Sequence, residues 1–316
     1  ESMSNVQLIL RIASKEVARL SAITSSRMSS ASELPPEDTD VQLLLPALIE
    51  RLNDDACSER ELVYVVSTLV NYTSNNSTVK NKVMIGGAVR RICGFLDSRN
   101  DDLVRISCAL LNNCTKAEQY RSQVARFGVV EKILELLQRN DAFIPHYRST
   151  RILIQACAVI GNLAGNPRLK DTITDALGDE EIPGAVVQGN RPQQSRAIRV
   201  IVGLLIDCHG DLNKQRDNLR ITAIYALKNL AINHEENKKT IGRLAIETLL
   251  TLVAEASTEG TETEILVDVT LRCLFVLCFE PSNCILLQKR NASDILQVQQ
   301  ARFPQIVQQI RSRLSS

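Results

Sequence analysis

The chain has no tryptophan, and aromatic residues make up only 3% of its 316 positions. A core centred on large aromatic rings is therefore excluded. Leu, Ile, Val and Ala carry most of the apolar 44%, a mix that favours thin layers of helix on helix over a sandwich. Net charge is nearly absent as well, at +1, and the basic residues are scattered without interleaved aromatics. Nucleic acid is therefore not an expected partner. No apolar run reaches the roughly 18 residues a membrane span needs, so membrane insertion is not expected either.

Catalytic and metal-binding signatures are missing too. There are three histidines, and none stands at zinc-ligand spacing from a cysteine pair. The cysteines number nine, without any C-x-x-C. Cys93, Cys108, Cys114, Cys157, Cys273 and Cys278 lie inside apolar helical runs, where cysteine behaves as a small hydrophobe. No phosphate-cradling glycine loop and no G-x-S-x-G elbow occur. The expectation is a non-enzymatic chain without cofactor or metal. No secretory segment opens it, so a reducing compartment is expected: the cytoplasm, the cell cortex or the nucleus.

What the chain does have is helical periodicity, punctuated by Gly, Pro, Ser and Asn. Val6, Ile9, Ile12, Val17, Leu20 and Ile23 predict a capping or docking helix over 5–24. If that helix exchanges between chains, the protein dimerises through it. A Ser-, Pro- and acid-rich linker follows to residue 40. Ser58 with Glu61 predicts a capping box. From there, groups of helices recur with a glycine between first and second, as at Gly86-Gly87 and Gly128. The predicted repeats are 41–75, 77–116, 118–166, 167–233 and 235–283, within 41–290, and a helical cap broken at Pro304 covers 291–316. In the last repeat, Glu235–Ile241 and Arg243–Ala256 are predicted as separate helices. The unit at 167–233 carries a loop, 178–195, able to occupy a groove in cis.

Near the end of each long helix stands an asparagine: Asn71, Asn112, Asn162 and Asn229, with a degenerate copy at Phe279. The first two lie 41 residues apart, within the window of two- and three-helix repeats of roughly 40–47 residues. The later, longer steps gain their surplus where Gly, Pro, Ser and Thr cluster. A second polar residue follows four positions on, at Asn75, Lys116, Asn166, Asn233 and Asn283, on the same helical face. Asparagine is a mediocre helix former, so its recurrence within helices points to a use, whereas Asn75, Asn166 and Asn233 suit caps equally well.

The run Ala226-Leu227-Lys228-Asn229-Leu230-Ala231 resembles the end of the third helix in armadillo repeats. Val159–Ala164 and Ala109–Cys114 are looser versions, and Ile85-Gly86-Gly87-Ala88-Val89 is similar to the family's turn between its first two helices. This resemblance, over roughly 41–290, implies an all-α fold: a right-handed superhelix of about five three-helix repeats with helical caps. It implies third helices lining a concave groove, where asparagines hydrogen-bond the backbone of an extended peptide. An amide suits that role because it both donates and accepts.

Selectivity would come from neighbouring turns. Four residues before each asparagine stand Ser67, Cys108, Ala158 and Tyr225, and Phe275 precedes Phe279. Importin-α-type armadillo proteins carry Trp there to hold lysines, so classical nuclear-signal recognition is disfavoured. Seven residues before stand Tyr64, Arg105, Gln155, Thr222 and Arg272. With Lys116 and Arg151 they make a mildly basic groove suited to a peptide of acidic character. The expected function is that of a protein-binding scaffold or adaptor in signalling, polarity or cytoskeletal assembly. The alternative is an armadillo-type exchange factor for a small GTPase, which Leu69–Asn75 also resembles.

Overall fold

The computed structural model describes residues 38–138, 149–176, 196–206, 213–255 and 261–315. The predicted N-terminal helix and the 178–195 loop lie outside them. Among the described residues every regular element is a helix. The chain divides into two compact units, one ending at Tyr120 and the other beginning at Arg121.

The first unit contains α1 (Asp38–Asn53), α2 (Glu59–Thr73), α3 (Ser77–Ile85), α4 (Ala88–Phe95) and α5 (Asp101–Thr115). The capping box starts α2 as its sequence predicts. The Glu61 carboxylate accepts from the Ser58 N–H at 2.9 Å, and Ser58 Oγ accepts from the Glu61 N–H at 3.4 Å. Arg51 donates to Glu61 at 2.9 Å. The hydrogen bonds from Ser58, followed by that from Arg51, pull the Glu61 pKa down to about 2. Asn76 caps α3 by accepting from the Val79 N–H at 3.0 Å. Gly87, at φ +73°, makes the left-handed turn from α3 to α4. Leu62, Val66 and Leu69 of α2 and Val104, Leu110 and Leu111 of α5 are buried, and these two helices pack side by side.

Helix α6 (Glu118–Ala125) covers the change of unit. The second unit continues with α7 (Val129–Gln138), α8 (Thr150–Ala164), a 3-10 turn (Pro167–Leu169) leading into α9 (Lys170–Asp175), α10 (Arg196–Ile206) and α11 (Asn213–Ala231). Then come α12 (Glu235–Glu255), α13 (Thr261–Leu277), α14 (Pro281–Lys289), α15 (Ala292–Val298) and α16 (Pro304–Leu314). The long helices α8, α11 and α13 pack in succession, and α16 packs on α13.

One boundary differs from the expectation. Helix α12 runs unbroken through Gly242, where the sequence predicts two helices. Gly242 makes no turn there. It is buried, and a Cβ at this position would lie 1.8 Å from Asn283 Oδ1. The glycine therefore serves close packing within a continuous helix. The C-terminal segment also shows more order than a simple cap, because α14, α15 and α16 contact one another as another three-helix group.

Candidate functional site

Within each unit the packed long helices carry their asparagines at a corresponding position. Asn71, Asn162 and Asn229 each stand two residues before the last residue of α2, α8 and α11. In α5 that place belongs to Asn113, and in α13 to Phe275. Hydrogen bonds give the same alignment. Asn229 Nδ2 donates to the Gly161 carbonyl at 2.8 Å, and Asn113 Nδ2 donates to the Val70 carbonyl at 3.0 Å. Each acceptor immediately precedes an asparagine of the neighbouring helix, Asn162 or Asn71. The sequence register through Asn112 and Phe279 is therefore shifted, because adjacent asparagines cannot be ordered by motif spacing alone.

The shift separates two roles in α5. Asn113 is buried, also reaches Thr73 Oγ1 at 3.4 Å, and accepts from Lys116 Nζ at 3.3 Å. Asn112 is the half-exposed member of the pair. In α11, Asn229 is itself half-exposed while making its bond to α8. One amide N–H and Oδ1 remain available there. Gly161 makes this approach feasible, since a Cβ would sit 3.1 Å from Tyr225 Cδ1 and 3.4 Å from Ala226 Cα.

The flanking positions sort accordingly. Ser67, Ala109, Ala158 and Tyr225 stand four residues before the register positions and are all partly exposed. Cys108, expected there, is fully buried, and burial likewise pushes the neighbouring Cys114 thiol up to about 12. Tyr64, Asn162 and Gln155 are half-exposed, and Arg151 is exposed. Arg105 pairs with Asp102 at 3.3 Å and Arg272 with Asp268 at 2.7 Å, so both carry a counter-charge on their own helix. Asn75 is exposed beside the true cap, Asn76. Asn166 caps the 3-10 turn by accepting from the Arg168 N–H at 3.1 Å, and it donates to Ser122 Oγ at 2.9 Å. Asn233 takes a left-handed turn, φ 54°, between α11 and α12. Asn283 is a buried staple, donating to the carbonyls of Lys238 at 2.9 Å and Leu277 at 3.1 Å. Phe275 meets Phe279 edge-on, with centroids 5.2 Å apart.

Several residues gain importance only in three dimensions. Lys170 of α9 is almost fully buried, and its ammonium donates to the Asn229 carbonyl at 2.6 Å and to that of Ile232. It thereby neutralises the negative end of α11. Burial lowers its pKa, and repulsion from Lys238 adds to the effect. The Lys228 ammonium lies 4.6 Å from the Tyr225 ring centroid. Phe279, left 45% exposed, has the Arg313 guanidinium 4.2 Å and the Lys238 ammonium 5.9 Å from its centroid. Tyr225 and Lys228 are three residues apart, a step that brings side chains together on one helical face. The meeting of Lys238, Phe279 and Arg313 had no sequence signal.

No group of His, Cys, Asp and Glu among the described residues could hold a metal. None of their helices is long and apolar enough to cross a membrane. In the second unit the long helices α8, α11 and α13 carry partly exposed amides, rings and cations.

No protein-family model matches the chain, and neither does any curated protein. Solved structures do match. The chain is similar to a designed armadillo repeat protein at TM-score 0.65 and 17% identity, over 86% of this chain and 98% of that one. It is similar to another, in complex with the peptide (KR)4, at TM-score 0.65 and 16% identity, over 85% and 99%. A third likeness is to computationally designed armadillo repeat proteins for modular peptide recognition, at TM-score 0.65 and 18% identity, over 86% and 98%. At such identities the likeness is one of fold: the chain has the all-α armadillo repeat solenoid fold.

Proposed function

We propose that the protein is a non-catalytic scaffold that holds an extended segment of a partner protein against its long-helix faces. The observation that carries this reading is the state of Asn229. Its bond to Gly161 fixes the amide plane and leaves one N–H and Oδ1 on a half-exposed surface, a preorganised donor–acceptor pair for a peptide backbone. Asn162 repeats the placement on the neighbouring helix, and Asn71 and Asn112 offer amides in the first unit. Structural neighbours designed for peptide recognition, one of them holding a peptide, support the same use of the fold.

The partner segment is extended and of acidic character, since the chain provides no tryptophan to enclose lysines. Signalling, cell polarity or cytoskeletal assembly is the setting that analogy of fold suggests for such an adaptor. The test is to replace Asn162 and Asn229 with Ala, check helicity and melting, and measure binding of partner segments recovered by affinity purification. The scaffold reading expects folded variants with affinity reduced about tenfold or more. Unchanged affinity would refute it.

A further inference from the structure

We propose that Lys228 and Lys238 make the second unit a two-point reader of peptide carboxylates, each ammonium backed by an exposed aromatic ring. This rests on the scaffold reading and specifies what its second unit selects. Lys228 lies over Tyr225 and Lys238 near Phe279, at the centroid distances of 4.6 and 5.9 Å. Among the described residues neither ammonium has a carboxylate partner. Of the acids nearby, Glu236 holds Lys239 at 3.0 Å, Asp268 holds Arg272 at 2.7 Å and Asp171 meets His234 at 2.8 Å, while Glu235 and Glu280 act on Lys239 and pair with neither ammonium. Arg313, on the Phe279 ring, and the buried ammonium of Lys170, close enough to Lys238 to be repelled by it, add to the positive potential.

An anion is therefore the complementary ligand at each point. The rings, 40% and 45% exposed, and Ile232, 38% exposed, leave apolar surface for the side chains between. Tyr225 sits on α11 and Phe279 just past the end of α13, and these helices are packed neighbours. Packed helices lie about 8–10 Å apart and an extended peptide advances about 3.3 Å per residue. Tyr225 stands four residues before the common register position and Phe279 four residues after it, an offset of about 12 Å along the helices, so with the lateral step the two carboxylates belong about four to five residues apart. A lysine-rich peptide meets the opposite situation, because the Tyr225 ring already holds a lysine of the chain itself.

The experiment uses the purified full chain and fluorescence anisotropy with four labelled probes. They are a Ser/Val peptide with two glutamates about four to five residues apart, its double-glutamine analogue, (KR)4, and single-stranded RNA. The glutamate peptide is expected to bind about tenfold or more tighter than the glutamine analogue. Lys228→Met and Lys238→Met should each remove most of that preference while leaving the weak glutamine peptide unchanged. Lys239→Met, which removes an already paired cation, should change neither. Equal affinity for the two peptides, with binding still lost in the Asn162→Ala and Asn229→Ala variants, overturns the carboxylate reader and leaves the scaffold standing. Absence of binding by any peptide overturns both. RNA binding as tight as the glutamate peptide overturns the reader in favour of diffuse attraction to polyanions.

Discussion

The helix pair α2–α5 and the helix pair α8–α11 are stapled alike but finished differently. Between α2 and α5 the stapling amide, Asn113, is buried with Val70, Thr73 and Lys116 around it. Arg105 on the same helix answers to Asp102. Between α8 and α11 the stapling amide, Asn229, is half-exposed and bonds the Gly161 carbonyl, and beside it stand an exposed tyrosine and a lysine that has no carboxylate partner among the described residues. One register position thus serves cohesion in both units, and in the second it is also the one that the proposed scaffold reading uses for recognition. Burial makes the difference, because a buried amide must be satisfied internally whereas a half-exposed one can turn remaining groups outward.

The contrast can be broken most strongly at glycine. Gly242→Ala should destabilise the second unit by about 3 kcal/mol, because a Cβ there collides with Asn283 and dislodges its bonds to Lys238 and Leu277. Gly94→Ala, on α4 of the first unit, meets nothing within 4 Å and should stabilise by about 0.5–1 kcal/mol. Urea unfolding followed by circular dichroism checks both signs.

A smaller effect separates the amides. Asn113→Ala should cost about 2 kcal/mol, because it removes a buried amide that bonds both Val70 and Thr73, and Asn229→Ala about 1 kcal/mol, because that amide is half-exposed and makes one bond to its neighbour. Asn112→Ala should cost less than about 0.5 kcal/mol. Equal losses at Asn113 and Asn229 in thermal melts would erase the distinction between them.

Glu61 gives the first unit its own acid sensitivity. Its folded pKa, about 2, lies below the ordinary 4.5, so its stabilisation is complete above about pH 4.5 and is lost as pH falls toward 2. Glu61→Gln should cost about 1 kcal/mol at neutral pH, and the gap from the parent protein should close in melts taken across that acid window.

The weakest test lies at the alkaline end. Burial pushes Cys114, in the first unit, and Cys273, in the second, up from 9.0 to about 12. A raised folded pKa means that stability is full below pH 9 and declines as pH rises toward 12, where unfolded thiols ionise and native ones do not. Each thiol should contribute about 0.8 kcal/mol of loss by pH 9.5, visible as a shallower pH slope in Cys114→Val and Cys273→Val variants.

Much of the helix plan was legible because the punctuation is local. Ser58 with Glu61, Gly87, Gly128 and Asn166 all do in the structure what their residue types favour. Gly242 misled because the feature that fixes it, Asn283, arrives from a helix about forty residues later. Asn112 and Asn113 are adjacent on one helix, and only the Val70 carbonyl tells which faces inward. The residues around Lys170 in sequence carry no local signal that it is buried. Its burial follows from the end of α11 lying above it, a contact 59 residues away. Local propensity therefore fixed elements well, and long-range partners decided which side chains became available.

The unbroken α12 has a mechanical consequence. Its 21 residues form a strut about 32 Å long at about 1.5 Å per residue. The first unit places a left-handed joint at Gly87 between two short helices instead. Left-handed glycine joints occur in both units, at Gly87 and at Gly128, but α12 has none and can yield only by bending or shearing as a continuous rod. That rod carries Lys238 near its start and so gives it a stiff mount.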